Sequence, residues 1–290
     1  MRRFRLGGVL IACCIAALGL SQGVSPQPLT LDGAAAHVYK KVDDVELRLH
    51  VFAPPDHSAA SRRPAIVLFF GGGWRGGTVQ QFVPQATHLA ARGMVVILVD
   101  YRVSARHKTT PFDSMSDAKS AIRWVRSRAT DLGIDATRIA AGGGSSGGHI
   151  ALSAAVISGF ETPGEDLAIS SRPDALVLFN PPVDTSAIAP FGDRGKEGSP
   201  LHHLGRNLPP MLILHGKADA TVPFSTVEQF CAEARKLENR CELVGYDDAP
   251  HGFFNRRIAD GKWANATLME ADRFLTSLGY LPSPTPGKNR

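Results

Sequence analysis

The chain has 290 residues, of which 43% are hydrophobic and 20% charged. That balance is ordinary for a globular protein and excludes wholesale disorder, while 29 Gly and 20 Pro without a G-X-Y period exclude a collagen-like fibre. The net charge of +5 falls to +2 once Arg2, Arg3 and Arg5 are set aside, and no basic stripe interleaved with aromatics remains, so nucleic-acid binding has no support.

Those three arginines open a stretch that continues as the almost wholly apolar run Leu6 to Leu20, followed by small residues with cleavage points near Gly19 or Gly23. A positive n-region, a short apolar core and small residues make a secretory signal peptide, so residues 1–23 are expected to direct export to the periplasm or beyond. The run is shorter than the roughly 20 residues a membrane span needs. Leu10-Ile11-Ala12-Cys13 also has the form of a lipoprotein signal, and lipidation at Cys13 would give the only expected contact with a membrane. Cys13 and Cys14 fall inside this segment. Cys231 and Cys241 remain, and an exported chain is expected to join them as a disulfide, two free buried thiols being the alternative. Neither lies in a C-x-x-C or beside histidines, so no metal site is expected.

Val45 to Phe52 alternates apolar and polar residues and predicts an antiparallel edge strand. Ala65 to Phe70 and Met94 to Val99 are continuous apolar runs, as in strands of a parallel sheet buried on both faces. Between them Gln80 to Arg92 predicts a crossover helix ended by Gly93. Asp113 to Ala129 has Met115, Ala118, Ile122 and Val125 near one helical face. The alternation continues with a strand at Arg138 to Ala141, a glycine-rich turn, and a small-residue helix at His149 to Ser158. Strands follow at Ala175 to Phe179 and Met211 to Leu214, a helix at Thr226 to Leu237, a strand at Cys241 to Gly245 and a closing helix at Trp263 to Leu278. Strand and helix alternate throughout, so residues 24–281 are expected to form one α/β domain, a doubly wound and mostly parallel sheet with helices on both faces. Asp184 to Pro210, rich in Gly, Pro and His, is expected as a small cap-like insertion above the carboxyl ends of the strands, where such sheets bind ligands. Residues 282–290 are a Pro-rich polar tail.

The chemistry concentrates in Gly142-Gly143-Gly144-Ser145-Ser146-Gly147-Gly148-His149, which follows a strand and opens a helix. That is the context of a nucleophile elbow, G-x-S-x-G, whose sharp turn needs small residues so that strand and helix can approach. Composition alone gives roughly 0.2 chance matches in such a chain, so the context carries the reading. The pattern fits twice: Ser145 lies between Gly143 and Gly147, Ser146 between Gly144 and Gly148. Phe70-Gly71-Gly72-Gly73-Trp74 follows the first buried strand, and its glycines leave consecutive N–H groups free to turn toward a developing alkoxide. A serine at neutral pH is a weak nucleophile and needs a base, itself oriented by a carboxylate, in the chain order serine, acid, histidine. Downstream, Asp219 follows a strand in a turn ending at Pro223. Asp247 and Asp248 are rivals, but they precede His251 too closely. His251 lies in Pro250-His251-Gly252-Phe253-Phe254. Of the other histidines, His215 supports the acid loop, His149 packs after the elbow, His107 approaches from the loop after Arg102, and His202 and His203 are candidates to line the pocket with Trp74.

Arg138-Ile139-Ala140-x-x-Gly143-x-Ser145-x-Gly147-Gly148-His149 resembles the elbow of α/β-hydrolase esterases, in the hormone-sensitive-lipase-type and bacterial carbohydrate-esterase-like branch that includes acetyl esterases. Aligned on it, Ser145 is the nucleophile and Ser146 stands where the family has alanine, its backbone N–H an oxyanion donor. Phe70 to Trp74 resembles the family's His-Gly-Gly-Gly-Trp loop, which implies Gly72 and Gly73 as the other donors. The chain departs from the family at Phe70, so the support given by that histidine must come from elsewhere. His215-Gly216-x-x-Asp219-x-x-Val222-Pro223 resembles the acid loop, and His251-Gly252-Phe253 the motif of the general base. Asp100-Tyr101-Arg102 recurs in this branch as a structural element. The resemblance spans Val45 to Leu278. It implies an α/β-hydrolase fold and a serine hydrolase that forms an acyl-enzyme with no metal or cofactor. A short acyl group on a sugar is the expected substrate, because a short insertion offers little apolar lining for long chains. A prolyl-oligopeptidase-type peptidase shares fold and triad order and stays an alternative, disfavoured because such enzymes usually carry a large N-terminal propeller and only about 40 residues lie between the expected signal and the sheet. A binding protein on an inactive hydrolase fold is the remaining alternative.

Overall fold

The computed structural model describes residues 26–283, so the expected signal peptide with Cys13, and the tail beyond Ser283, lie outside the described residues. Eight strands, β1 (Ala34–Val42), β2 (Val45–Phe52), β3 (Arg63–Phe69), β4 (Val95–Val99), β5 (Ile134–Gly144), β6 (Ala175–Phe179), β7 (Met211–Gly216) and β8 (Cys241–Tyr246), make one sheet in the order β1-β2-β4-β3-β5-β6-β7-β8. The pairs β1·β2 and β2·β4 are antiparallel and every later pair is parallel. The described residues form the α-helices α1 (Val83–Ala91), α2 (Ser104–His107), α3 (Pro111–Ser127), α4 (Ser146–Val156), α5 (Phe224–Lys236) and α6 (Ala264–Ser277).

Handedness explains how the helices divide. Right-handed crossovers that step in opposite directions along a sheet put their helices on opposite faces. The step from β3 to β4 goes one way and the step from β4 to β5 goes back across β3, so α1 and α3 lie on opposite faces. The steps carrying α4 and α5 continue in the direction of α3. α6 returns to the face of α1, where Asp272 meets His88 at 3.0 Å. The direction reverses at β3, so the crevice beyond the carboxyl ends of β3 and β5 is where a ligand is expected. The core lies on both faces of the central strands: every residue of β4 and β6 is buried.

The structure differs from the expectation at the edge of the sheet. β2 is not the edge strand, because β1 covers it. β1 escapes a periodicity reading because its inward residues are Tyr39 and Lys40, made consecutive by a register shift between Val38 and Lys40. The Tyr39 hydroxyl donates to Asp100 O at 2.8 Å, and Lys40 Nζ to Asp117 Oδ1 at 2.6 Å. Asp117 also accepts from Arg102 Nε at 2.8 Å, so an ionic knot, not an apolar stripe, fixes the edge. Cys231 in α5 and Cys241 at the start of β8 form a disulfide with Cα atoms 5.5 Å apart. Asp184 to Pro210 forms the insertion between β6 and β7, built of two short 3-10 turns.

Candidate active site

β5 is longer than its apolar core suggests, since Gly142, Gly143 and Gly144 pair with β3 and β6 before the chain breaks at Ser145. Ser145 has φ 51° and ψ −123°, a conformation that non-glycine residues avoid. The neighbours that hold it are glycines for a steric reason. A Cβ at Gly143 would lie 2.4 Å from Phe69 O, and one at Gly147 would lie 2.1 Å from the same oxygen. The sharp turn aims Ser145 Oγ at His251 Nε2, 2.9 Å away. Ser146 is instead the first residue of α4 and buried, with its Oγ making no hydrogen bond among the described residues. The two registers of the motif are therefore not equivalent: Ser145 Oγ meets the imidazole.

His251 Nδ1–H donates to Asp219 Oδ2 at 2.7 Å. Asp219 Oδ1 accepts from Thr221 N at 2.9 Å and Val222 N at 2.8 Å. Burial opposes ionisation of this carboxyl, but the bonds from His251 and the two backbone N–H groups outweigh it and hold it below the usual carboxylate range. His215 Nε2 lies 3.4 Å from Asp219 Oδ2 and donates to Val222 O at 2.8 Å, so it stiffens the acid loop. Asp247, by contrast, pairs with Lys217 at the surface.

The glycine loop passes over the elbow. A Cβ at Gly71 would come 3.3 Å from Ser145 Cβ. Among the described residues, the N–H groups of Gly72, Gly73 and Ser146 donate to no other group, while Gly71 N–H is engaged by Gln81 Oε1 at 2.6 Å. The structure also shows what replaces the family histidine at Phe70. Its ring stacks on Tyr101 at 4.2 Å, the Tyr101 hydroxyl donates to Phe70 O at 2.7 Å, and Arg106 lies over the ring at 5.7 Å. Tyr101 from the Asp100-Tyr101-Arg102 triplet and Gln81 thus hold the loop.

The structure gives each of the three expected pocket residues a definite set of contacts. Trp74 is buried, edge-on to His149 and to Phe191. His202 Nδ1 bonds Ser199 Oγ at 2.9 Å within the insertion. His203 faces Lys196 O and lines a separate cavity of about 520 Å³ with Lys119 and Arg123, at the far end of α4 from Ser145. His107 closes its own turn by accepting from Val103 N. Among the described residues, no group of His, Cys, Asp and Glu is arranged to hold a metal ion.

Sequence reasoning missed Asn180. This buried residue, φ 40°, follows β6, beside the elbow strand. Its Oδ1 accepts from Gly252 N at 3.3 Å and its Nδ2 lies 3.5 Å from His251 Nε2. Its place directly after a predicted central strand was the available signal.

His149 carries a consequence for stability. Burial keeps this imidazole neutral, lowering its pKa from 6.5 to about 4 against the contrary pull of its bond to Gly198 O. The unfolded chain protonates it near 6.5, so below that pH the unfolded state holds the extra proton and stability falls as pH drops to about 4. The loss expected from this group is about 3 kcal/mol. Urea unfolding between pH 7 and 4 should show it, and the slope should flatten in His149→Gln. An unchanged slope would contradict this account.

A family model described as BD-FAE matches residues 49–193, half of the chain, and one described as the prolyl oligopeptidase family matches residues 192–269. The chain is 29% identical to esterase LipC of Mycobacterium tuberculosis over 245 residues, 74% of this chain but 59% of that protein, so it spans little more than half the length of the curated relatives it matches. Thermogutta terrifontis esterase 2 phosphorylated by paraoxon has 48% identity and a TM-score of 0.85, covering 88% of this chain and 97% of that one. The propionate-bound structure of the same esterase has 46% identity with the same coverage and TM-score. A likeness of that depth over 88% of the chain means that the chain belongs to the α/β-hydrolase-fold serine esterases.

Proposed function

We propose that the protein is an exported carboxylic-ester hydrolase that removes short acyl groups from a carbohydrate through an acyl-enzyme. The observation that carries the reaction type is the chain Ser145 Oγ, His251 Nε2, His251 Nδ1, Asp219 Oδ2, with links of 2.9 and 2.7 Å. His251 takes the Ser145 proton as Oγ adds to the ester carbonyl, and Asp219 stabilises the imidazolium. The carbonyl oxygen becomes an alkoxide that the N–H groups of Gly72, Gly73 and Ser146 receive. The proton then passes to the leaving alkoxide as the alcohol departs. His251 next deprotonates water, the hydroxide adds to the acyl carbonyl, and as the bond to Oγ breaks the proton returns from His251 to Ser145 and the carboxylic acid departs.

Two observations support a short acyl group. The insertion turns Phe191 inward against Trp74 and His149 and packs Ile188, Leu201, Leu204 and Leu208 against the core, which leaves it little with which to line a long trough. The related Thermogutta esterase is described with propionate bound. The sugar part rests on the resemblance to carbohydrate esterases, and export on the N-terminal pattern.

A series of nitrophenyl esters from acetyl to dodecanoyl should show kcat/KM falling beyond butyryl, and acetylated oligosaccharides should release acetate. Equal or better rates on long chains would overturn the short-acyl reading. The match of residues 192–269 to the prolyl oligopeptidase family favours one second reading, since it contains Asp219 and His251. Cleavage of aminoacyl-proline substrates in preference to esters would establish it.

A further inference from the structure

The reaction just described leaves unused a buried histidine four residues after the nucleophile. His149 Nε2 donates to Gly198 O at 2.7 Å, which fixes the tautomer and leaves Nδ1 to accept from Trp74 Nε1–H at 3.3 Å. Its ring meets Trp74 edge-on at 5.1 Å and Phe191 at 5.3 Å. One imidazole therefore joins three separate stretches of chain: the oxyanion loop, the elbow helix α4 and the insertion.

The loop needs such an anchor. The turn is closed by Gly72 O, which accepts from Arg75 N and Gly76 N at 3.1 Å, but a Cβ at Gly73 would find no atom within 4 Å, so the orientation of that turn is set by the residues on either side of it. On the Phe70 side, Tyr101 and Gln81 hold the backbone. On the other side stands Trp74, a bulky residue at φ 57°, a region that only fixed surroundings maintain. Its carbonyl accepts from Ser104 N, and its indole has His149.

We propose that His149 is the positioning residue of the oxyanion loop, holding Trp74, and through it the N–H groups of Gly72 and Gly73, in register with Ser145. The proposal rests on the esterase reading. It assigns the site a dependence on the insertion, because the second bond of His149 goes to Gly198. A small misplacement of such donors weakens the alkoxide more than the bound ester, so the effect belongs to kcat and not to KM.

The test uses Trp74→Phe, which keeps an aromatic ring and deletes the donor, together with His149→Leu and His149→Gln. Glutamine can still accept from the indole and donate to Gly198 O. Each variant is assayed on nitrophenyl acetate and for inhibition by a short-chain trifluoromethyl ketone, whose adduct with Ser145 carries the alkoxide. Trp74→Phe and His149→Leu are expected to lower kcat by roughly 10- to 100-fold. KM should stay within about threefold, ketone affinity should fall with kcat, and His149→Gln should recover most of the loss. Parent-like kcat and ketone affinity in folded Trp74→Phe would overturn the proposal, as would a loss carried by KM alone. If His149→Leu fails to fold, Trp74→Phe decides. A parent chain that neither turns over esters nor reacts with a fluorophosphonate would overturn the esterase reading and this proposal with it. A reactive parent that Trp74→Phe matches would overturn this proposal alone.

Discussion

Ser145→Ala is expected to lower kcat/KM for a short nitrophenyl ester by about 10⁵-fold or more and to abolish fluorophosphonate labelling. Ser146→Ala should stay within about tenfold of the parent and label normally. The contrast follows from backbone geometry. Ser145 occupies the strained turn and lies 2.9 Å from His251 Nε2, whereas the Ser146 hydroxyl is buried in the first turn of α4. Ser146 enters the chemistry through its N–H, which alanine retains. Its hydroxyl makes no hydrogen bond among the described residues, so little is lost on its removal. Peptide mapping of the labelled protein reads the result directly. A label on Ser146, or one that survives Ser145→Ala, would move the nucleophile by one residue and the oxyanion donor with it.

Asp219→Asn should lower kcat by about 10⁴-fold while leaving the fold intact, by analogy with the corresponding change in serine proteases. The amide oxygen can keep the two backbone N–H groups of Thr221 and Val222 that Oδ1 accepts now. The amide NH₂ then faces His251 Nδ1 and makes that nitrogen an acceptor. The ring proton moves to Nε2, the atom that must receive the proton of Ser145. Asparagine therefore selects the wrong tautomer as well as removing the charge that steadies the imidazolium. Stopped-flow measurement of the acylation burst tests this, with thermal unfolding as the control for folding. A loss below tenfold would mean that another carboxylate serves His251. Asp247 would be the first to examine, although its bond to exposed Lys217 points it elsewhere.

The central parallel strands could be read directly because their apolar runs have no other stable home than between two layers of helices. The motif glycines could be read because close approach leaves no room for a Cβ. What escaped the sequence was polar burial. β1 is held by Tyr39 and Lys40, residue types that ordinarily signal a surface, and their partners Asp100 and Asp117 lie 61 and 77 positions away. Asn180 stayed hidden for the same reason, since its partners Gly252 and His251 are more than 70 residues distant. Phe70 stands out in the sequence as a departure from the family, but its remedy, stacking and a hydroxyl from Tyr101, depends on which strands are neighbours. Where Trp74 packs could not be read either, because an aromatic after a glycine turn says nothing about which way the turn faces.

The nucleophile and its base are 106 positions apart, and the sheet order adds a temporal meaning to that number. Ser145 and the oxyanion loop belong to the part of the chain synthesised first, on β3 and β5. Asp219 and His251 arrive with the last two strands, β7 and β8, which attach one after the other at the far side of β6. A partly assembled molecule therefore presents an unremarkable alcohol. The triad is assembled only when β8 has docked and the loop beyond it can deliver His251, so it requires the sheet to be built from β5 through to β8. Recovery of turnover during refolding should accordingly follow the docking of β8, and not the formation of the elbow that bears the serine.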